Sequence, residues 1–157
     1  MPSDGKPKGG TPASRVGAWL QRINATEGPA IKFTGMCDRA PNTEKYHVTM
    51  AYVLENHGAA AQTRCSARIF KGYFQDGIYP DEKNLISLVG EMVPDLDPAA
   101  LRADLRSESK RARVLAHARK LKDEYQVTGV PYFVINDKLA VSGAQEADFF
   151  LRAFAEA

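Results

Sequence analysis

The sequence predicts an α/β protein that is helical over most of its length and closes in a β-β-α unit. Three observations carry this. Between residues 14 and 125, apolar side chains recur at the spacing of amphipathic helices. At Val130, Tyr132, Phe133, Val134 and Ile135 the pattern switches to β-branched and aromatic residues, followed by an Asn136-Asp137 turn. Ala147, Phe150, Leu151 and Phe154 then return to helical spacing.

The elements follow in order. Residues 1–13 hold Pro2, Pro7, Pro12, Gly5, Gly9 and Gly10, bury too little apolar surface to offset their ordering entropy, and read as a disordered tail. Residues 14–157 then read as a single domain. Val16, Trp19, Leu20 and Ile23 give a short first helix, capped by Ser14 and stopped at Gly28-Pro29. Ile31, Lys32 and Phe33 form a brief extended piece.

Pro41-Asn42-Thr43 opens the next helix, with Asn42 or Thr43 as its cap and Tyr46, Met50, Val53 and Leu54 as its apolar stripe. Gly58 ends it. A further helix over about residues 59–75 carries Cys65, Ile69 and Tyr73 on one face, with Phe70 and Phe74 beside it. Residues 81–92 form another, bearing Leu85, Leu88, Val89 and Met92, and Pro94 blocks its continuation.

Asp97-Pro98 is a cap followed by a proline at the first helical position, and Leu101 and Leu105 make that helix's contact. A longer helix follows Ser107, with Val114, Ala118, Leu121 and Tyr125 expected inside and Lys110, Arg111, Arg113, Arg119, Lys120 and Lys122 outside. Glu108, Asp123 and Glu124 flank the basic residues, so a solvated face outweighs an acid-binding one. A hairpin alone is marginal, so the two strands need a third strand, a helical cover or a partner chain.

Composition excludes several classes of function. The net charge of +2 gives no whole-chain footprint for nucleic acid or an anionic membrane. No apolar run approaches the ~20 residues of a spanning helix. The first residues lack the apolar core of a secretory signal, which sets the expectation of a reduced, cytoplasmic compartment. Cys37 and Cys65 have 27 residues between them, neither a CxxC redox pair nor a zinc-ligand pair, and no metal-binding cluster stands out.

Four pieces in order carry a family resemblance: the Pro41-Asn42-Thr43 helix start with His47 four residues on, Tyr73-Phe74 with Gly77, Thr128-Gly129-Val130-Pro131, and Ser142-Gly143-Ala144-Gln145 after the hairpin. Over roughly residues 14–157 the chain resembles the DsbA-like branch of the thioredoxin fold, in its FrnE-type subgroup. The resemblance implies a thioredoxin-like α/β fold with a helical insertion at about residues 36–126 and a C-terminal β-β-α half at residues 127–157. It implies a cis peptide at Pro131, and a substrate loop at Thr128, Gly129, Val130 and Pro131 that holds extended peptide backbone.

Family members begin with a strand, a CxxC-bearing helix and a second strand. Residues 1–13 are too short and too polar to supply these, so the expectation is a chain lacking that unit, with an incomplete sheet. Thiol–disulfide exchange needs a low-pKa thiolate and a resolving cysteine close by. Without the pair the expected reading is a redox-inactive or partner-dependent relative of a thiol–disulfide oxidoreductase. The alternative is a binding or self-associating module that uses the proline groove or an open sheet edge. A glutathione-dependent isomerase or transferase, with glutathione as the cofactor, is the third reading.

Of the remaining candidates, Cys37 is the one to weigh as a lone reactive thiol. An incidental loop cysteine is the plainer reading, since no charge partner for a thiolate is assured beyond Arg39. Cys65 falls on an apolar face and reads as core. Asn42, Thr43 and His47 are candidates for a groove, against the simpler readings of a cap and a satisfied helix histidine.

Overall fold

The structure, a computed structural model, describes residues 5–7, 25 and 39–156. The helix expected at residues 14–24, the extended piece at residues 31–33 and Cys37 lie outside the described residues. The elements run β1 (Gly5–Pro7), β2 (Arg39–Pro41), α1 (Glu44–Phe74), α2 (Glu82–Met92), α3 (Pro98–Arg106), α4 (Glu108–Glu124), β3 (Tyr132–Ile135), β4 (Leu139–Ser142) and α5 (Ala147–Glu156). Where one domain over residues 14–157 is expected, the chain packs as two compact units that divide between Val114 and Leu115, inside α4. No residue of α4 is buried.

The tail reading fails for three residues. Gly5, Lys6 and Pro7 pair antiparallel with Pro41, Ala40 and Arg39. Ladder pairing satisfies backbone groups without any apolar side chain, so a composition argument does not see it.

In the first unit, α1 is broken at Gly58, whose φ of 81° and ψ of 174° are open to glycine and strained for other residues. The two halves run back along each other. The Tyr46 and Ser66 hydroxyls are hydrogen-bonded at 2.8 Å, and Gln62 Nε2 donates to the Met50 carbonyl at 3.0 Å. Met50, Val53, Cys65 and Ile69 therefore face one core, which α2 completes with Leu85, Leu88 and Val89 and α3 with Leu101. Leu54 is not part of it: at 46% exposure it shares the outward side with His47. Thr49 is fully buried instead, its hydroxyl donating to the Lys45 carbonyl at 2.8 Å.

The helix starts follow their caps. Asp81 accepts from the Asn84 amide at 2.8 Å, and Asp97 accepts from Ala99 at 2.8 Å and Ala100 at 3.1 Å. At α1 it is Asn42, through Oδ1, that takes the Glu44 amide at 3.0 Å, while Thr43 makes no side-chain cap.

The stripe expected inside α4 is not buried; Leu121 is 39% exposed. The first turns of α4 are held by charge instead. Lys110 lies 3.1 Å from Asp104, Arg111 lies 2.7 Å from Glu44, and Arg113 pairs with Glu55. Three of the residues expected on a solvated face thus have acidic partners.

The second unit holds the later turns of α4, the hairpin and α5. Tyr132 pairs with Ser142 and Ile135 with Leu139, so three residues, Asn136, Asp137 and Lys138, separate the last partners where a two-residue turn is expected; φ is positive at both Asn136 and Asp137 (49° and 54°), and the Lys138 amide donates to the Ile135 carbonyl at 3.1 Å. Phe133, Ile135 and Val141 lie on one face. Phe150 of α5 meets Phe133 edge to face at 4.7 Å, and Ala153 is buried. Leu151 and Phe154, expected in the same buried stripe, are 66% and 63% exposed. A two-stranded sheet is too narrow to cover more than one row of a helix.

Candidate functional site

The sequence-predicted substrate loop is an exposed arch between two fixed feet. Its first foot is the end of α4. Gln126 takes a left-handed φ of 51°, and the Val127 amide donates back to the Lys122 carbonyl at 2.9 Å, which ends the helix and turns the chain outward. Its second foot is the start of β3. The Gly143 amide donates to the Pro131 carbonyl at 2.9 Å, and Gly143 itself has a φ of 88° that favours glycine. The Val130–Pro131 peptide bond is cis.

Between the feet, Thr128 and Gly129 are exposed and Val130 is 89% exposed. A Cβ added at Gly129 would meet nothing within 4 Å. Among the described residues, none makes a backbone hydrogen bond to residues 128–130. A backbone without a hydrogen-bonded partner among the described residues, beside an exposed valine, has the donors, acceptors and apolar contact that an extended peptide uses.

A second connection closes the arch. The Tyr132 hydroxyl donates to the Tyr125 carbonyl at 3.0 Å, and the Tyr125 hydroxyl reaches Asp137 Oδ1 at 3.4 Å. The Asp137 charge pushes the Tyr125 phenol above its ordinary pKa. Sequence reasoning missed this pair. Its only signal is that two tyrosines bracket the six residues 126–131.

Asn42, Thr43 and His47 belong to the other unit, at the start of α1. His47 is exposed over much of its surface, but Tyr46 stands edge-on against its ring at 5.1 Å, and burial of that side lowers the imidazole pKa. Asn42 lines a cleft of about 230 Å³ with Glu44, Asp81 and Glu108 as acids and Lys45, Arg106 and Arg111 as bases. Arg111 is tied to Glu44 within the lining and Arg106 to Glu82 outside it, so both guanidinium groups are already paired.

Cys65 is a free thiol with no exposed surface. Burial pushes its pKa up, against the smaller opposing effect of Arg64. It is therefore a protonated core residue rather than a nucleophile. Among the described residues, no group of His, Cys, Asp or Glu is placed to hold a metal ion, and no helix is long and apolar enough to cross a membrane.

The family described as a DSBA-like thioredoxin domain matches residues 6–155, nearly the whole chain. No curated protein matches the sequence.

Proposed function

The chain belongs to the DSBA-like thioredoxin domain family, a thiol–disulfide oxidoreductase-like family with a DsbA-like thioredoxin fold, and on that footing we propose that it holds extended peptide for thiol–disulfide exchange without supplying the dithiol itself. Exchange proceeds by attack of a thiolate on one sulfur of a disulfide; a mixed disulfide forms and the other sulfur leaves as thiolate. The chain has Cys37 and Cys65 but no CxxC. In this reading it is a FrnE-type member that works in the cytoplasm with a dithiol carried elsewhere, on a partner or on further sequence of a longer product. Residues 128–131 hold the substrate backbone.

One contrast supports this reading. The thiol at Cys65 is buried and protonated, while Val130 beside Pro131 is 89% exposed on a backbone with open donors and acceptors. The test is a pair of measurements on the same chain. Turnover of a disulfide-bonded peptide in glutathione buffer is expected to stay at the uncatalysed rate, and a thiol-free extended peptide rich in valine and threonine is expected to bind. Turnover at the rate of an ordinary dithiol oxidoreductase, or absence of peptide binding, would sink the proposal.

A second reading is a self-associating module. It is favoured by the edges of the β3–β4 sheet, which carry no further strand among the described residues, and by the exposed Leu151 and Phe154. Light scattering separates the two, since strict monomers across the accessible concentration range count against self-association.

A further inference from the structure

We infer that the Tyr132 hydroxyl is the positioning group of the peptide-holding arch: by binding the Tyr125 carbonyl it fixes the span between the two feet, so that residues 128–130 present their backbone in one geometry. The inference rests on the peptide-holding reading above and adds to it the residue that sets the loop's shape.

Tyr125 lies one residue beyond α4, where carbonyls have lost their helical partners and need another donor. Its amide is used, donating to the Leu121 carbonyl at 3.0 Å. Its carbonyl takes the Tyr132 hydroxyl at 3.0 Å. Tyr132 directly follows Pro131, whose own carbonyl is held by the Gly143 amide at 2.9 Å. The arch is thus pinned on the helix side at Tyr125 and Val127 and on the strand side at Pro131 and Tyr132, with no hydrogen bond between from the described residues. Fixing the feet of a short loop reduces the conformational freedom that peptide binding would otherwise have to remove. The half-buried setting of Tyr132 keeps water from competing fully for the bond.

The first unit supplies a control. The Tyr46 hydroxyl is hydrogen-bonded to the Ser66 hydroxyl at 2.8 Å, in α1 and outside the arch. Tyr132→Phe and Tyr46→Phe each delete one phenolic oxygen and keep the ring. A merely structural role predicts that both act alike on peptide affinity.

The experiment measures binding of a fluorescent, thiol-free peptide rich in valine and threonine to the full chain and to Y132F and Y46F, with thermal melts and amide exchange of residues 128–130. Y132F is expected to weaken peptide binding about fivefold, the equivalent of one hydrogen bond, and to speed exchange in the arch. Y46F is expected to leave both near the parent. Equal affinity for parent and Y132F, or an equal loss in the two variants, overturns the positioning role and leaves the peptide-holding reading standing. Failure of the parent chain to bind overturns that reading, and the positioning role with it. If Y132F fails to fold, Tyr132→Leu, which keeps apolar bulk and has no donor, takes its place with the same expected loss.

Discussion

Gly72 on α1 and Leu88 on α2 are in such close approach that a Cβ at Gly72 would stand 3.2 Å from Leu88 Cδ1. Leu88 is 2% exposed and held in the core, so it has little room to give. The absent side chain at Gly72 leaves the space that Leu88 Cδ1 fills. Alanine here gains up to about 1 kcal/mol of helix propensity. It loses about 1–3 kcal/mol to overpacking. Gly72→Ala should therefore be close to neutral or mildly destabilising, and Gly72→Val should cost about 3 kcal/mol. Urea unfolding of the two variants checks the order; valine tolerated as well as alanine would show that the helices part easily.

Cys65 should behave as core. Cys65→Ser places a hydroxyl in an apolar site and is expected to cost about 1–3 kcal/mol. In a Cys37→Ala background, the native protein should resist an aromatic disulfide reagent and react only with the rate of unfolding. Immediate stoichiometric labelling would place Cys65 at the surface.

The Asp97 carboxylate takes two amides at the start of α3, at 2.8 and 3.1 Å. Asp97→Ala is expected to lower stability by about 1 kcal/mol, and Asp97→Asn to recover most of it. Denaturant midpoints at constant slope would read this directly.

Glu82 gives the acid side of the stability curve a defined component. The hydrogen bond from Arg106 holds its carboxyl below the usual glutamate range, against the opposing effect of partial burial. The folded pKa is thus lower than the unfolded one. Its contribution is present above the ordinary glutamate pKa and lost as pH falls through the folded value. Both charges stay partly solvated, so the effect is small. Melting temperature followed from neutral pH to about pH 3 should fall less steeply in Glu82→Gln than in the parent. Identical slopes would mean the pair contributes nothing.

Val130 should matter to binding and not to folding. At 89% exposure it has almost no packing to lose, so Val130→Ala should leave the melt unchanged. If its side chain covers bound peptide, affinity should fall about three- to tenfold from the lost apolar area. Unchanged affinity would remove Val130 from the proposed site.

Local chemistry made much of this chain legible from its residues. Asp81 and Asp97 cap their helices, Gly58 breaks α1, and Asn136-Asp137 takes the positive φ values of a tight turn, because each depends only on neighbours along the chain. The same holds for the order of helices and hairpin. Periodicity shows which side chains lie on one face, but not whether anything covers that face. Leu54, the stripe of α4, Leu151 and Phe154 all have the right spacing and are not buried, because burial depends on what packs opposite. The pairing of residues 5–7 with 39–41, the ion pairs that hold the first turns of α4, and the Tyr132–Tyr125 bond across the arch also needed three dimensions. Each joins groups whose partners are set by the path of the backbone between them, which no local pattern records. Sequence alone determined what this protein's elements are; the tertiary structure decided which of their faces meet.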